Sequence, residues 1–87
     1  MSGVDHRGAL EAVERILNRG GDPRDVLLAV LEALHARGVA YAAVRVGGDE
    51  LSIGVPRPAA ASGALTLADD QEFVDRVALL ISPYVRD

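Results

Sequence analysis

Apolar residues in the first third of the chain recur every three or four positions, the spacing of a helix that buries one face. The first of these segments begins after Asp5, whose carboxylate can cap a helix, and extends to about Arg19. Gly20-Gly21 ends it, since glycine readily adopts the left-handed conformation that closes helices. The apolar stripe of this predicted helix consists of Leu10, Val13 and Leu17.

The second helical segment has the clearest boundaries in the chain. Asp22 is a good N-cap, and Pro23 suits the first helical position because no N–H group is needed there. Gly38 closes the segment. Leu28 lies off its apolar face, so the pattern predicts a helix that is covered on more than one side. The face itself is broad and consists of Val26, Leu27, Val30, Leu31 and Leu34.

The apolar spacing then changes to two, which predicts strands. Alternation marks Ala40–Val46 and Leu51–Val55, and Gly47-Gly48 between them predicts a tight hairpin. Prolines stop the second strand, because proline has no N–H group to donate to a ladder. The small residues of Ala59–Gly63 predict a linker, and Ala64–Leu67 is predicted to form a third, very short strand.

A third helical pattern occupies the last part of the chain. Asp69 or Asp70 is expected to cap it, and Asp69 with Glu72 has the spacing of a capping box. Pro83 falls inside the pattern and predicts a kink, or the end of the regular helix, near Leu79–Ser82. The main apolar stripe consists of Phe73, Val77, Leu80 and Tyr84.

These elements predict one α+β domain of residues 1–87, with two N-terminal helices, a three-stranded antiparallel sheet and a C-terminal helix. Ala40–Val46 is expected in the centre of the sheet, because its alanines let a helix approach closely. Of the 87 residues, 49% are hydrophobic. A chain this short buries only about 60–65% of the surface that its unfolded form exposes. Apolar side chains therefore remain for an interface.

Charge and composition exclude several classes of function. All nine basic residues are arginines, scattered among thirteen acids, and the net charge is −4. Nucleic-acid binding usually needs a basic stripe, so we expect no nucleic-acid partner. The chain has neither an uncharged apolar run long enough to span a membrane nor an apolar leader, and a cytoplasmic, membrane-free protein is expected. Cysteine is absent, which removes disulfides and thiolate chemistry.

The order of the predicted elements resembles the GAF domain, in particular small bacterial GAF-domain proteins. The resemblance is carried by VERILNRGGDPRDVLLAVLEALHARGVAYAAVRVGGDELSIG at the front and by LTLADDQEFVDRVALLISPYV at the back. It implies a signalling-type module with a sheet of order 2-1-3, in which the last strand lies beside the first. The connector Pro56–Ser62 then stands where GAF domains carry their middle strands and pocket roof, so both are expected to be missing.

No arrangement of residues points to catalysis, a metal or another cofactor. The GAF activities that use cysteine are excluded, and the cyclic-nucleotide signature Asn-Lys…Phe…Asp-Glu does not occur. His6 and His35 are the only imidazoles, and neither has a His or Cys companion at ligand spacing. His6 is expected to be a disordered or capping residue at the terminus, and His35 a partner of the helix dipole.

The leading hypothesis is a non-catalytic module that acts by self-association, as a homodimer, or by partner binding. GAF domains often pair through their terminal helices, and with Leu28 this implies an interface of Leu10, Val13, Leu17, Leu28, Leu80, Ile81 and Tyr84. A competing route is pairing through an open edge at Ala64–Leu67. The alternative function is a small-molecule sensor whose groove, lined by Tyr41 and Arg45, is completed by a second subunit. We do not expect one subunit to enclose a ligand pocket of about 300 Å³ or more.

Overall fold

Three helices and a four-stranded antiparallel sheet form the fold in the computed structural model, which describes residues 3–85. The helices are α1 (His6–Arg19), α2 (Pro23–Ala36) and α3 (Gln71–Val85). The strands are β1 (Tyr41–Val46), β2 (Asp49–Gly54), β3 (Ala60–Ser62) and β4 (Leu65–Leu67). The α+β class and the antiparallel sheet are thus confirmed.

Aspartates cap all three helices. The carboxylate of Asp5 accepts a hydrogen bond from the backbone three residues later at 3.0 Å, and that of Asp22 from the backbone two residues later at 3.1 Å. Both caps agree with the sequence prediction. At α3 the cap is Asp70, which accepts from the N–H group of Phe73 at 3.1 Å. The capping box predicted at Asp69 does not form, because the Asp69 carboxylate has other partners.

The sheet has four strands in the order β2-β1-β4-β3, not the three that the sequence predicts. The end of the connector, Ala60–Ser62, pairs with Leu65–Leu67 across a short turn. Sequence reasoning missed β3 because alanine and serine are weak strand formers and prolines precede them. The predicted adjacency of the other strands is confirmed, since β1 pairs with both β2 and β4.

The added strand changes which edges of the sheet are free. The edge at Ala64–Leu67, which the sequence predicts to be open, is occupied by β3. This prediction was therefore wrong, and the outermost strands of the described sheet are β2 and β3. Of these β2 has six residues and β3 has three. The longer stretch of unpaired backbone is that of β2.

The helices cover one face of the sheet in two steps. Helix α2 lies across β1 and β2, α3 lies across β3 and β4, and α1 packs on both of these helices. The largest fully buried core side chains include Leu27, Leu31, Leu34, Leu65, Leu67 and Ile81. The other face, to which Tyr41 and Arg45 belong, has no helix over it within residues 3–85. Among these residues, no helix is both long and apolar enough to cross a membrane.

Helix α3 continues through Pro83 to Val85, beyond the point where the sequence predicts a kink or an end. Proline has no N–H group, so the carbonyl of Leu79, four residues before Pro83, loses its helical hydrogen bond. Leu79 is 76% exposed, so water can replace the missing donor. The solvent-facing position of Leu79 makes the proline tolerable.

Gly54→Ala is expected to destabilise the domain by about 1–3 kcal/mol in urea unfolding. Gly54 has a φ of +91°, and an added Cβ would overlap the carbonyl oxygen of Ala40. Gly48→Ala is the matched control in the same hairpin, because nothing lies within 4 Å of a Cβ there and its φ is not in the left-handed region. Equal stability of the two variants would contradict this account of the hairpin.

Candidate functional site

A groove runs along the surface between α1 and α3, and we call it the α1–α3 groove. Its apolar part is a hollow of about 180 Å³ lined by Leu10, Glu14, Arg76, Leu79 and Leu80. Leu10 and Glu14 are four residues apart on α1, and Leu79 and Leu80 follow Arg76 by three and four residues on α3, so each set lies on one helix face. Leu79 stands at the rim with 76% of its surface exposed.

Two residues of the predicted helical interface are buried inside the chain. Val13 is 0% exposed and Ile81 is 1% exposed, and both belong to the central core. A side chain that its own chain covers completely has no area left for a second subunit. Val13 on α1 and Ile81 on α3 are therefore apolar because they fill this core.

The other predicted interface residues keep some surface. Leu10, Leu17, Leu80 and Tyr84 are half-buried, and Leu10 and Leu80 line the groove. The hydroxyl of Tyr84 donates a hydrogen bond to the backbone carbonyl of Leu17 at 3.2 Å, which ties the ends of α1 and α3 together. Leu28, 41% exposed, lies on α2 and does not line the groove.

The polar end of the groove is a second hollow, of about 230 Å³, built around His6. Its Nε2 atom donates to both carboxylate oxygens of Asp69, at 2.9 and 3.0 Å, and its ring lies 4.5 Å from that of Phe73. The Asp69 side chain is only 7% exposed. The expectation of a disordered or capping His6 was wrong, because this contact joins residues 63 positions apart and leaves no local signal in the sequence.

Ligand atoms of His6, Asp69 and Asp70 lie within 4.8 Å of one another, as a divalent cation would require. Their present partners account for the arrangement without a cation. Asp69 accepts from His6 and from the N–H group of Asp70 at 2.7 Å, and Asp70 caps α3. The positive end of the α3 dipole also opposes a cation here. We therefore assign the cluster to helix capping and to the α1–α3 contact.

The predicted ligand groove lies on the helix-free face of the sheet. Tyr41 is half-buried and Arg45 is exposed, and Ala43 lies between them on the same face of β1. Four residues of strand separate their Cα atoms by about 13 Å. Across the hairpin Arg45 faces Glu50, and Tyr41 faces Gly54. The structure therefore brings both residues to one face but not to one point.

A third hollow, of about 300 Å³, lies between the β3–β4 turn and the last turns of α3 and is open to solvent. It is lined by Ser62, Gly63, Ala64, Leu65, Asp75, Ala78, Leu79, Ile81, Ser82 and Val85. Its single acid, Asp75, bonds to Gln71 at 3.0 Å. Neither Tyr41 nor Arg45 lines any of the three hollows described here.

An ion pair connects the start of α2 to the start of β2. Nη1 of Arg24 donates to the Asp49 carboxylate at 2.7 Å, and both side chains are more than half exposed. The hydrogen bond that Arg24 donates to Asp49, and then the negative charge of Asp49, raise the pKa of Arg24 above its ordinary value. The pair marks the flank of α2 that lies towards the outer edge of the sheet.

Comparisons with protein-family models, with curated proteins and with solved structures found no match to this chain. The resemblance to GAF domains therefore remains a prediction based on the order of the elements.

Asp69→Ala is expected to destabilise the protein by about 1–3 kcal/mol, because it removes the acceptor of both the His6 ring and the Asp70 N–H group. His6→Phe keeps a ring against Phe73 but loses the donor, and we expect about 1 kcal/mol or less for this half-exposed group. Urea unfolding measures both changes. If Asp69→Ala cost no more than His6→Phe, the additional role of Asp69 would be excluded.

Proposed function

We propose that this chain is a non-catalytic module that acts by self-association, and that the α1–α3 groove is a surface through which two copies meet. The observation that carries the proposal is the exposed side chain of Leu79, beside the half-buried Leu10 and Leu80. A leucine that is fully buried gains about 1.5–3 kcal/mol over one in water. Leu79 obtains little of this gain in the isolated chain.

The charges of the groove are complementary to those of a second copy. Glu14 lies on the α1 side and Arg76 on the α3 side of the same hollow. A two-fold axis that runs along the groove places α1 of each copy opposite α3 of the other, so Glu14 faces Arg76 twice. Opposite charges at the rim favour this orientation over others.

The expected affinity of this contact is modest. Two buried Leu79 side chains contribute about 3–6 kcal/mol, and association costs about 4–15 kcal/mol in lost translation and rotation. The half-buried Leu10 and Leu80 must add area for a net gain. A dissociation constant in the micromolar range therefore suits the groove better than a nanomolar one.

The GAF-like fold that the order of the elements predicts is part of this proposal. Two helices lead into the hairpin and a terminal helix follows the last strand, with no helix over the pocket-side face of the sheet in residues 3–85. The sensor alternative rests on that same uncovered face, where a second subunit would have to complete a groove over Tyr41 and Arg45. Saturable binding of a small molecule that Arg45→Ala abolishes would favour the sensor.

Leu79→Glu is expected to lower the weight-average mass measured by sedimentation equilibrium at tens of micromolar, by up to about half. The substitution places two carboxylates in a contact that otherwise buries two leucines, at a cost of several kcal/mol. Ala59→Glu adds the same charge on an exposed loop residue outside the groove and should leave the mass unchanged. A monomeric wild type would refute the proposal.

A charge exchange tests the orientation of the two copies. Glu14→Arg alone puts two arginines opposite each other and is expected to weaken association about tenfold. The double variant Glu14→Arg/Arg76→Glu restores opposite charges in the two-fold contact and should recover most of the affinity. Equal weakening in the single and double variants would exclude this pairing of the groove residues.

A further inference from the structure

The hydrogen bonds of β1 establish which backbone groups of β2 point out of the sheet. The N–H group of Arg45 donates to the carbonyl of Ala64 at 3.0 Å, and that of Ala68 donates to the carbonyl of Tyr41 at 2.9 Å. The odd-numbered residues of β1 are therefore bonded towards β4. Because bonding alternates along an antiparallel strand, its even-numbered residues are bonded towards β2.

The register then divides β2 in the same way. Ala42 and Val44 face Ile53 and Leu51, so these two residues of β2 bond inward. Glu50 and Ser52 direct their N–H and C=O groups outward, where the described sheet has no further strand, and the N–H group of Gly54 points the same way because the peptide before it is still in the strand. Strand β2 is the longer of the two outer strands.

We propose that the outer edge of β2 pairs antiparallel with the same edge of a second copy, about a two-fold axis that passes between the two Ser52 residues. This register places Ser52 opposite Ser52 and Glu50 opposite Gly54. The two Ser52 residues then exchange hydrogen bonds, and the N–H group of each Gly54 donates to the Glu50 carbonyl of the partner, so the proposal does not depend on the α1–α3 groove.

Charge favours the same register. The acids Asp49 and Glu50 lie at one end of β2, and the two-fold axis places them opposite Val55 and Gly54 of the other copy, not opposite each other. Arg57 lies two residues beyond Val55, within reach of the acidic end of the partner strand. A two-fold axis at Glu50 would instead bring like charges together.

Apolar side chains at this edge gain cover from the pairing. Leu51 and Ile53 are half-buried on the helix side of the sheet, and Val55 is 76% exposed. In the proposed register Leu51 stands directly opposite Ile53 of the second copy, at the close spacing of a pair that shares no hydrogen bonds. The apolar side chains on the helix side then form one continuous layer across the two paired sheets.

The pairing also brings the two α2 helices together. Helix α2 lies over β1 and β2, so its axis is one strand spacing, or about 5 Å, from the two-fold axis. The axes of the two α2 helices are then about 10 Å apart. Packed helices are separated by about 8–10 Å. Leu28, 41% exposed, is one turn from Arg24, which bonds to β2 and so marks the flank that faces the partner. The contact therefore covers Leu28.

A cysteine at the axis tests the register directly, because the chain has no other cysteine. Opposed residues that exchange hydrogen bonds have Cα atoms about 5.5 Å apart, a distance that a disulfide spans. Ser52→Cys should form disulfide dimers at least about tenfold faster than Glu50→Cys, whose two copies lie about 13 Å apart in this register. Equal rates of crosslinking would overturn the proposal.

Sedimentation equilibrium of two charge variants separates this edge from the groove. Val55 and Leu79 are both 76% exposed, so Val55→Glu and Leu79→Glu make the same change at equal exposure. Val55→Glu places a carboxylate opposite Asp49 and should about halve the mass. The double variant should be a monomer. An unchanged mass with Val55→Glu overturns the edge alone, and an unchanged mass with Leu79→Glu overturns the groove alone.

Discussion

The structure depends on β1, an inner strand of small residues that is hydrogen-bonded on both sides. Ala42 is 0% exposed and Val44 is 1% exposed, and they form the floor on which α2 packs. Their small side chains let the helix approach closely enough for its leucines to be fully buried. The alternation of hydrogen bonds along β1 also determines which backbone groups of β2 point outward. Strand β1 therefore sets both the packing of the helices and the pattern of free groups at the edge.

The position of the helices follows from this floor. Helices α2 and α3 divide the sheet between them, and α1 can only pack on top of both, where its core side chains Ala9 and Val13 are fully buried. The strands have only three or six residues, so the sheet is too small to cover every apolar side chain of the three helices. Some of these side chains remain at the margins of the helical layer. Leu79 remains beside α1, and Leu28 remains on the outer flank of α2. These margins carry the surfaces proposed for association.

Local signals made most of the fold predictable. The caps at Asp5 and Asp22 and the alternation in β1 and β2 lie within a few residues of the structure they specify. Strand β3 could not be predicted, because its stability comes from β4 and α3. The His6–Asp69 contact was missed for the same reason. Apolar stripes indicated Val13 and Ile81 as interface residues, but a stripe cannot show whether its own chain already covers it.

The two proposed contacts can form on one molecule at the same time. The axis at Ser52 is perpendicular to the sheet, so both copies keep their helices on the same side and join over β2 and α2. The α1–α3 groove lies over the other half of the sheet, where α3 covers β3 and β4. A chain with two different two-fold contacts does not stop at a dimer, because each contact leaves the other one free. Association then closes into a tetramer or continues as an open chain, according to how the two axes are inclined.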